Sequence, residues 1–262
     1  MGVEPVDGHD VTRVRADNPS PLTLDGSNSW VVGRDPGWVV DPGPRLEDHL
    51  ESLGEEVERR GGLGGIALTH RHPDHDEGVS ALLERAGPAP VAAATGGDVA
   101  LGDGQTFGPL TAVAVPGHSP DHLAFVAARV CFTGDAVLGQ GSVFIAPQAG
   151  AMSGYLVGLR RLRSMDLALL CPGHGPPVRA ARAKLDEYLE HRLDRERRLV
   201  AALAQGHRSE GDLLDQAWSD VPPELRPVAA LSLKAHLHKL AEEGRLPPGV
   251  DLTTPDGPHL AV

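Results

Sequence analysis

The chain has 262 residues, 40% of them hydrophobic, and a formal net charge of -12. That length buries a sizeable core, and the acidic balance disfavours non-specific attraction to nucleic acid, leaving only a local basic groove as a route to it. No apolar run approaches the roughly 20 residues that cross a bilayer, and Met1 to Asp7 lack a basic segment followed by an apolar one, so a soluble cytoplasmic protein with no membrane partner is expected.

Residues 11–15 alternate weakly and are expected as an edge strand, with turn residues over 18–28. Residues 29–33 and 37–41 are rich in β-branched and aromatic side chains and flank Arg34-Asp35-Pro36, which predicts paired strands around a turn. Leu46, Leu50, Leu53 and Val57 recur at helical spacing within 45–60, and Gly61-Gly62 end that helix. Residues 65–69 predict a short buried strand.

Directly after it comes Thr69-His70-Arg71-His72-Pro73-Asp74-His75, with three imidazoles and a carboxylate in one tight turn. Pro73 and Asp74 alone would suit a polar surface turn; this density of nitrogen and oxygen donors after an apolar strand points to a metal site, with enough ligands to serve two ions. A helix is expected over 78–85 and strands over 90–93 and 110–115. The second of these strands ends at Pro116-Gly117-His118-Ser119-Pro120-Asp121-His122.

Residues 123–126 and 130–132 predict a hairpin ending in Thr133-Gly134-Asp135, and the strand over 167–170 ends in Cys171-Pro172-Gly173-His174-Gly175. Four strand ends thus carry ligand-type side chains. Cys131 and Cys171 are the only cysteines, without metal-binding spacing, and are expected as core thiols. After Pro176-Pro177 the pattern changes to helices over 180–205, 210–217 and 226–243, with Gly244-Arg245-Leu246 as a β-turn. Two domains are expected, residues 1–177 and 178–262; most of the acidic excess lies in the first.

The HxHxDH loop, followed in order by Pro-Gly-His, Thr-Gly-Asp and Pro-Gly-His-Gly, resembles the metallo-β-lactamase superfamily. More narrowly, the chain is similar to its β-lactamase-like protein 2 group. The segment Asn18-Pro19-Ser20-Pro21-Leu22-Thr23-Leu24-Asp25-Gly26-Ser27-Asn28-Ser29 carries that likeness, with Tyr188-Leu189-Glu190-His191-Arg192, Arg195-Glu196, Leu237-His238-Lys239-Leu240 and Glu243-Gly244. One departure is Phe144-Ile145-Ala146-Pro147-Gln148, apolar where that group is expected to be acidic.

The resemblance implies an α/β fold, an αββα sandwich followed by a small helical, winged-helix-like domain. It implies that His70, His72 and His118 hold one zinc, that Asp74, His75 and His174 hold the second, and that Asp135 bridges both. Asp41 would orient a ligand histidine. Iron or manganese suits the same donors, but the resemblance favours two zinc ions. True zinc β-lactamases, which normally lack the bridging aspartate, and flavodiiron proteins, which replace HxHxDH, fit less well.

The expected mechanism is attack by a metal-bound hydroxide, with Asp74 orienting the nucleophile or carrying its proton. The leading substrate is a small-molecule acyl ester or thioester, in keeping with the apolar stretch 144–146. The alternatives are endoribonuclease action on single-stranded RNA and a zinc-stabilised binding module. His122 suits either orientation of the His118 loop or an ordinary turn hydrogen bond; His9, His49, His207, His236 and His238 are expected as surface or helix residues. Arg192, Arg195, Arg197 and Arg198 are interrupted by Asp194 and Glu196, which favours a solvated helix over an RNA-binding patch.

Overall fold

The computed structural model describes residues 2–252. The chain first builds a seven-stranded sheet: β1 (Gly2–Pro5), β2 (Val11–Arg15), β3 (Asn28–Val32) and β4 (Gly37–Val40) pair antiparallel. Helix α1 (Glu47–Arg59) crosses to β5 (Leu63–Ala67). The short α2 (Pro73–Asp76) and α3 (Val79–Ala86) lead to β6 (Val91–Ala93) and β7 (Val99–Ala100), and β4 to β7 run parallel.

The second sheet has the order β12-β11-β10-β9-β8, formed by β8 (Thr106–Phe107), β9 (Leu110–Ala114), β10 (Leu123–Ala127), β11 (Val130–Gly134) and, after α4 (Ala151–Ser164), β12 (Leu169–Pro172). The chain continues through α5 (Ala181–Ala204), α6 (Glu210–Ala217) and α7 (Arg226–Glu242).

Strand alternation sorts side chains into layers. Trp30, Val32, Phe125, Phe132, Leu169 and Cys171 fill the space between the sheets. Their neighbours Val31 and Val39 face α1 and α3, where Leu50, Leu53, Val57 and Leu82 are buried. On the far side, Ala124, Cys131 and Leu170 meet Tyr155, Leu156 and Leu159 of α4 and Leu185 and Tyr188 of α5. Both faces of each sheet are covered, giving the αββα sandwich, and both cysteines are buried thiols.

The C-terminal helices have a core of their own, formed by Leu199, Leu203, Leu213, Trp218, Leu233, Leu237 and Leu240. Helix α5 serves both cores, its first half packed on the sandwich and its second half in the helical cluster. Ser209 caps α6 by accepting from the Asp212 amide at 3.2 Å. No strand follows β12 among the described residues. Residues 253–262 of the expected second domain lie outside the described residues.

Three expectations are corrected. Residues 11–15 are an interior strand; the edge is β1, whose Gly-Val-Glu-Pro carries little alternation. Gly244, at φ +67, ends α7 with the Arg245 amide donating to Leu240 O at 2.8 Å, a Schellman-type stop in place of a free β-turn. Helix α4 was not expected, because Gly154 and Gly158 break its apolar pattern. Gly158 is required there by packing, since a Cβ would lie 2.9 Å from Val115 Cα.

Trp30 is 1% exposed and its Nε1 donates to Pro172 O at 3.0 Å, tying β3 to the turn that carries His174. Trp30→Phe removes that donor while keeping most of the ring, and should cost about 1–2 kcal/mol in urea unfolding with an unchanged denaturant slope.

Candidate metal centre

The ends of β5, β9, β11 and β12 open at one edge of the sandwich, and the loops there bring together all seven residues singled out by spacing and resemblance. Pro73 at the first position of α2 starts a single helical turn that directs Asp74 and His75 inward, 5% and 1% exposed. His118, Asp135 and His174 enter from the second sheet.

The side chains form overlapping groups. His72 Nδ1 lies 3.0 Å from both His70 Nε2 and His118 Nε2. Asp74 Oδ2 lies 3.3 Å from His174 Nε2 and 3.4 Å from His75 Nε2. Asp135 Oδ2 sits between the groups, 3.6 Å from His118 Nε2 and 3.3 Å from His174 Nε2, while its Oδ1 is 3.5 Å from His75 Nε2.

The outer nitrogens explain why the inner ones are bare. Asp41 accepts from the Thr69 amide at 2.7 Å, from Thr69 Oγ1 at 2.7 Å and from His75 Nδ1 at 2.9 Å. Thr69 Oγ1 has thereby spent its proton, so its 3.0 Å contact with His70 Nδ1 is donated by the imidazole. His118 Nδ1 faces Phe144 O and His174 Nδ1 faces Gly26 O, both at 3.4 Å. His70, His75, His118 and His174 thus set Nδ1 against an outer oxygen and turn Nε2 inward.

Two of those inward atoms, His75 Nε2 and Asp135 Oδ1, are buried without a hydrogen-bond partner. Separations near 3.3 Å match the edge of a tetrahedron with metal–ligand bonds of about 2.0–2.1 Å. The donor set therefore fits divalent cations, and three groups, His70/His72/His118, His70/His75/Asp135 and Asp74/His75/His174, each converge closely enough to share one.

The electrostatics agree. Burial works to push the His75 and His174 pKa values down, yet Asp74 and Asp135, with Asp41 at His75, hold them up at about 9 and 10. The carboxylates attract positive charge to these positions, where a cation takes the place of the protons. Burial instead carries His118 down to about 4, with Asp135 opposing, and takes His70 well below its ordinary value.

His122 accepts from the Asp135 amide at 3.1 Å and stacks on His70, so its ring fixes the Asp135 turn, while its carbonyl accepts from the Val115 amide at 3.0 Å and closes the His118 loop. His49 and His236 lie on helices but are fully buried, each 0% exposed. His49 Nε2 contacts Ser29 Oγ at 2.9 Å and Pro42 O at 3.1 Å, bracing the turn that follows Asp41.

Sequence reasoning assigned no role to Ser27, whose Oγ donates to Asp74 Oδ2 at 2.9 Å, or to Asn28, whose Nδ2 donates to Pro172 O at 2.9 Å and Gly175 O at 2.8 Å. Both fall in the segment 18–29 that carried the narrower resemblance.

A cavity of about 290 Å³ adjoins the centre. His118, Asp135 and His174 line it together with Leu24, Leu138, Val143 and Phe144, and with Trp218, Val221 and Val228 from the C-terminal helices. The solvated helix expected around 192–198 is corrected in part. Arg192 and Arg195 are 2% and 5% exposed and line this cavity, because α5 is covered there by the 142–144 loop and by Trp218. Arg197 and Arg198 are exposed and paired with acids of their own helix.

Fold and centre define a metal-binding αββα protein. Residues 22–105 and 91–174 match the Metallo-beta-lactamase superfamily, and residues 209–246 match the Beta-lactamase associated winged helix domain. The chain belongs to the metallo-β-lactamase superfamily and is a hydrolase of that superfamily with a C-terminal winged-helix domain. It is 28% identical to the Beta-lactamase-like protein 2 homolog of Caenorhabditis elegans, over 92% of this chain and 88% of that one. It is 31% identical to the thioesterase pkgB of Emericella nidulans, over 75% of this chain and 59% of that protein. Its fold superposes on a Beta-lactamase domain protein from Burkholderia ambifaria with a TM-score of 0.74 at 22% identity, covering 92% of this chain and 90% of the other. No helix among the described residues is long and apolar enough to cross a membrane.

His49 offers a clean test of the bracing around Asp41. Burial lowers its pKa to about 4, against the opposing hydrogen bond to Pro42 O, whereas the unfolded chain titrates near 6.5. Between those values unfolding takes up a proton, so stability falls as pH drops from about 6.5 to 4. The contribution lost is on the order of 3 kcal/mol. The stability difference between wild type and His49→Gln, followed by denaturant unfolding, should shrink across this window and stay constant above pH 7.

Proposed function

We propose that the protein is a dinuclear zinc hydrolase of small acyl esters or thioesters. The observation that carries this reading is the opening of the histidine and aspartate cluster onto a largely apolar cavity. In it His70, His72 and His118 would hold one ion and Asp74, His75 and His174 the other, with Asp135 close enough to serve either. The metal pair, when bound, supplies a water of lowered pKa and polarises the scissile carbonyl.

The chain's own residues do the rest. Leu24, Leu138, Val143 and Phe144 seat the acyl portion and exclude water from it. Asp74, whose Oδ2 is held by Ser27 Oγ, orients the attacking water. Among the described residues, no lysine, tyrosine or cysteine lines the cavity. His191, lowered to about 4 by its burial and by Arg192 and Arg195, is neutral at pH 7 and is no acid for a leaving group. A thiol, with an ordinary pKa near 8.5, departs as thiolate without such an acid, whereas an amine does not. This supports a thioester over an amide, and the similarity to a thioesterase points the same way.

Single-stranded RNA finds less support, because Arg197 and Arg198 are engaged by Glu190 and Asp194 and form no free cationic strip. A zinc-stabilised binding module would use the donor set but not the apolar cavity onto which it opens. The test is turnover of acyl thioesters of increasing chain length, beside matched amides and labelled single-stranded RNA, by zinc-loaded protein. Thioesters should be cleaved and amides not, chelation should abolish cleavage, and Asp74→Asn should slow it by roughly 100-fold or more. Cleavage of RNA alone, or of nothing by folded zinc-loaded protein, would refute the proposal.

A further inference from the structure

Arg192 is the one large cation in the cavity wall whose charge the chain leaves unbalanced. It is 2% exposed, and among the described residues no carboxylate forms an ion pair with it. Its Nη2 donates to Ser142 Oγ at 2.9 Å and to Val143 O, its guanidinium lies 5.6 Å from the centre of the Tyr155 ring, and its Nε is buried without a partner. Arg195, one helical turn on, shows the contrast: Asp220 takes its Nη1 at 2.5 Å and its Nη2 at 2.9 Å.

A buried guanidinium held only by neutral acceptors carries a desolvation penalty of several kcal/mol, which an anion offsets. Glu196, the acid one helical turn on from Arg192, is already engaged by Lys239 and Arg245, each at 2.7 Å. The rest of the wall is mostly apolar. Position links this cation to the centre, since Arg192 holds Val143 O and the next residue, Phe144, packs its ring 4.5 Å from the His118 ring.

We infer that the cavity selects a substrate whose apolar acyl group carries a second, free carboxylate, and that Arg192 binds that carboxylate. This rests on the acyl-hydrolase reading and names its substrate class. With Nη2 spent on Ser142 and Val143, Nη1 is the donor left to meet a carboxylate oxygen, and the cavity's volume suits a small acyl group.

The experiment is calorimetric titration of the zinc-loaded protein with suberamate, an acyl amide ending in a carboxylate, and with octanamide, its neutral counterpart of equal length. Suberamate should bind roughly 10- to 100-fold more tightly. Arg192→Gln should remove that preference while leaving octanamide binding unchanged, and Arg197→Gln, on the exposed face of the same helix, should alter neither. Equal binding in the wild type overturns the inference, as does a preference that survives Arg192→Gln, which would assign the carboxylate to the metal centre. Tighter binding of octyl phosphate would replace the carboxylate by a phosphate and overturn it too. Should Arg192→Gln fail to fold, Arg192→Lys decides: one ammonium cannot keep the bonds to Ser142 and Val143 and also meet the carboxylate as the guanidinium does, so the preference should fall severalfold, and an unchanged preference refutes the assignment. Thioester turnover without suberamate preference refutes this inference alone; the preference without turnover refutes hydrolysis alone.

Discussion

The carboxylate of Asp41 is the constraint on which the centre depends. It sits at the end of β4 in a left-handed conformation, φ +53, that a side chain other than glycine adopts at a cost. The strain is held by four bonds at one strand end, with the Asp41 amide donating to Ala67 O and the carboxylate receiving Thr69 twice and His75 once. Through Thr69 the same carboxylate sets the tautomer of His70. Parallel pairing of β4 with β5 thereby becomes the orientation of two imidazoles, and His49 and Ser29 close the turn behind it.

The charge arrangement follows from that geometry. His70, His75, His118 and His174 set Nδ1 outward, so their second nitrogens and two carboxylates face one another in a largely buried cluster. Such a cluster is costly unless positive charge enters it. Asp74 and Asp135 express this by holding protons on His75 and His174, while His70, His118 and His122, dominated by burial, stay neutral. The same balance that stabilises protons there prepares the site for divalent ions.

Much of this was legible because local pattern carried it. Strands ending in His70, His118, Asp135 and His174 are short apolar runs, and helices such as α6 and α7 have clear starts and stops. What escaped depended on partners far along the chain. Ser27 meets Asp74 and Asn28 meets Pro172 only once the sheets close. Helix α4 was hidden by glycines that its packing requires. Arg192 read as part of a solvated charge run because its acceptors, Ser142 and Val143, are remote in sequence. The change in pattern near Pro177 marks where helices begin, but α5 then joins both cores, a continuity that composition does not display.

The sandwich supplies the chemistry and the C-terminal helices shape what reaches it, since Trp218, Val221 and Val228 complete a cavity whose other end is His118, Asp135 and His174. We propose that His70, His72, Asp74, His75, His118, Asp135 and His174 form one two-ion centre. Its most direct test is the metal content of chelated protein after reloading with zinc and desalting, for wild type and for His118→Ala. The wild type should retain two tightly held equivalents, with one of them weakened or lost in the variant. Folded wild-type protein that retains fewer than two would contradict it.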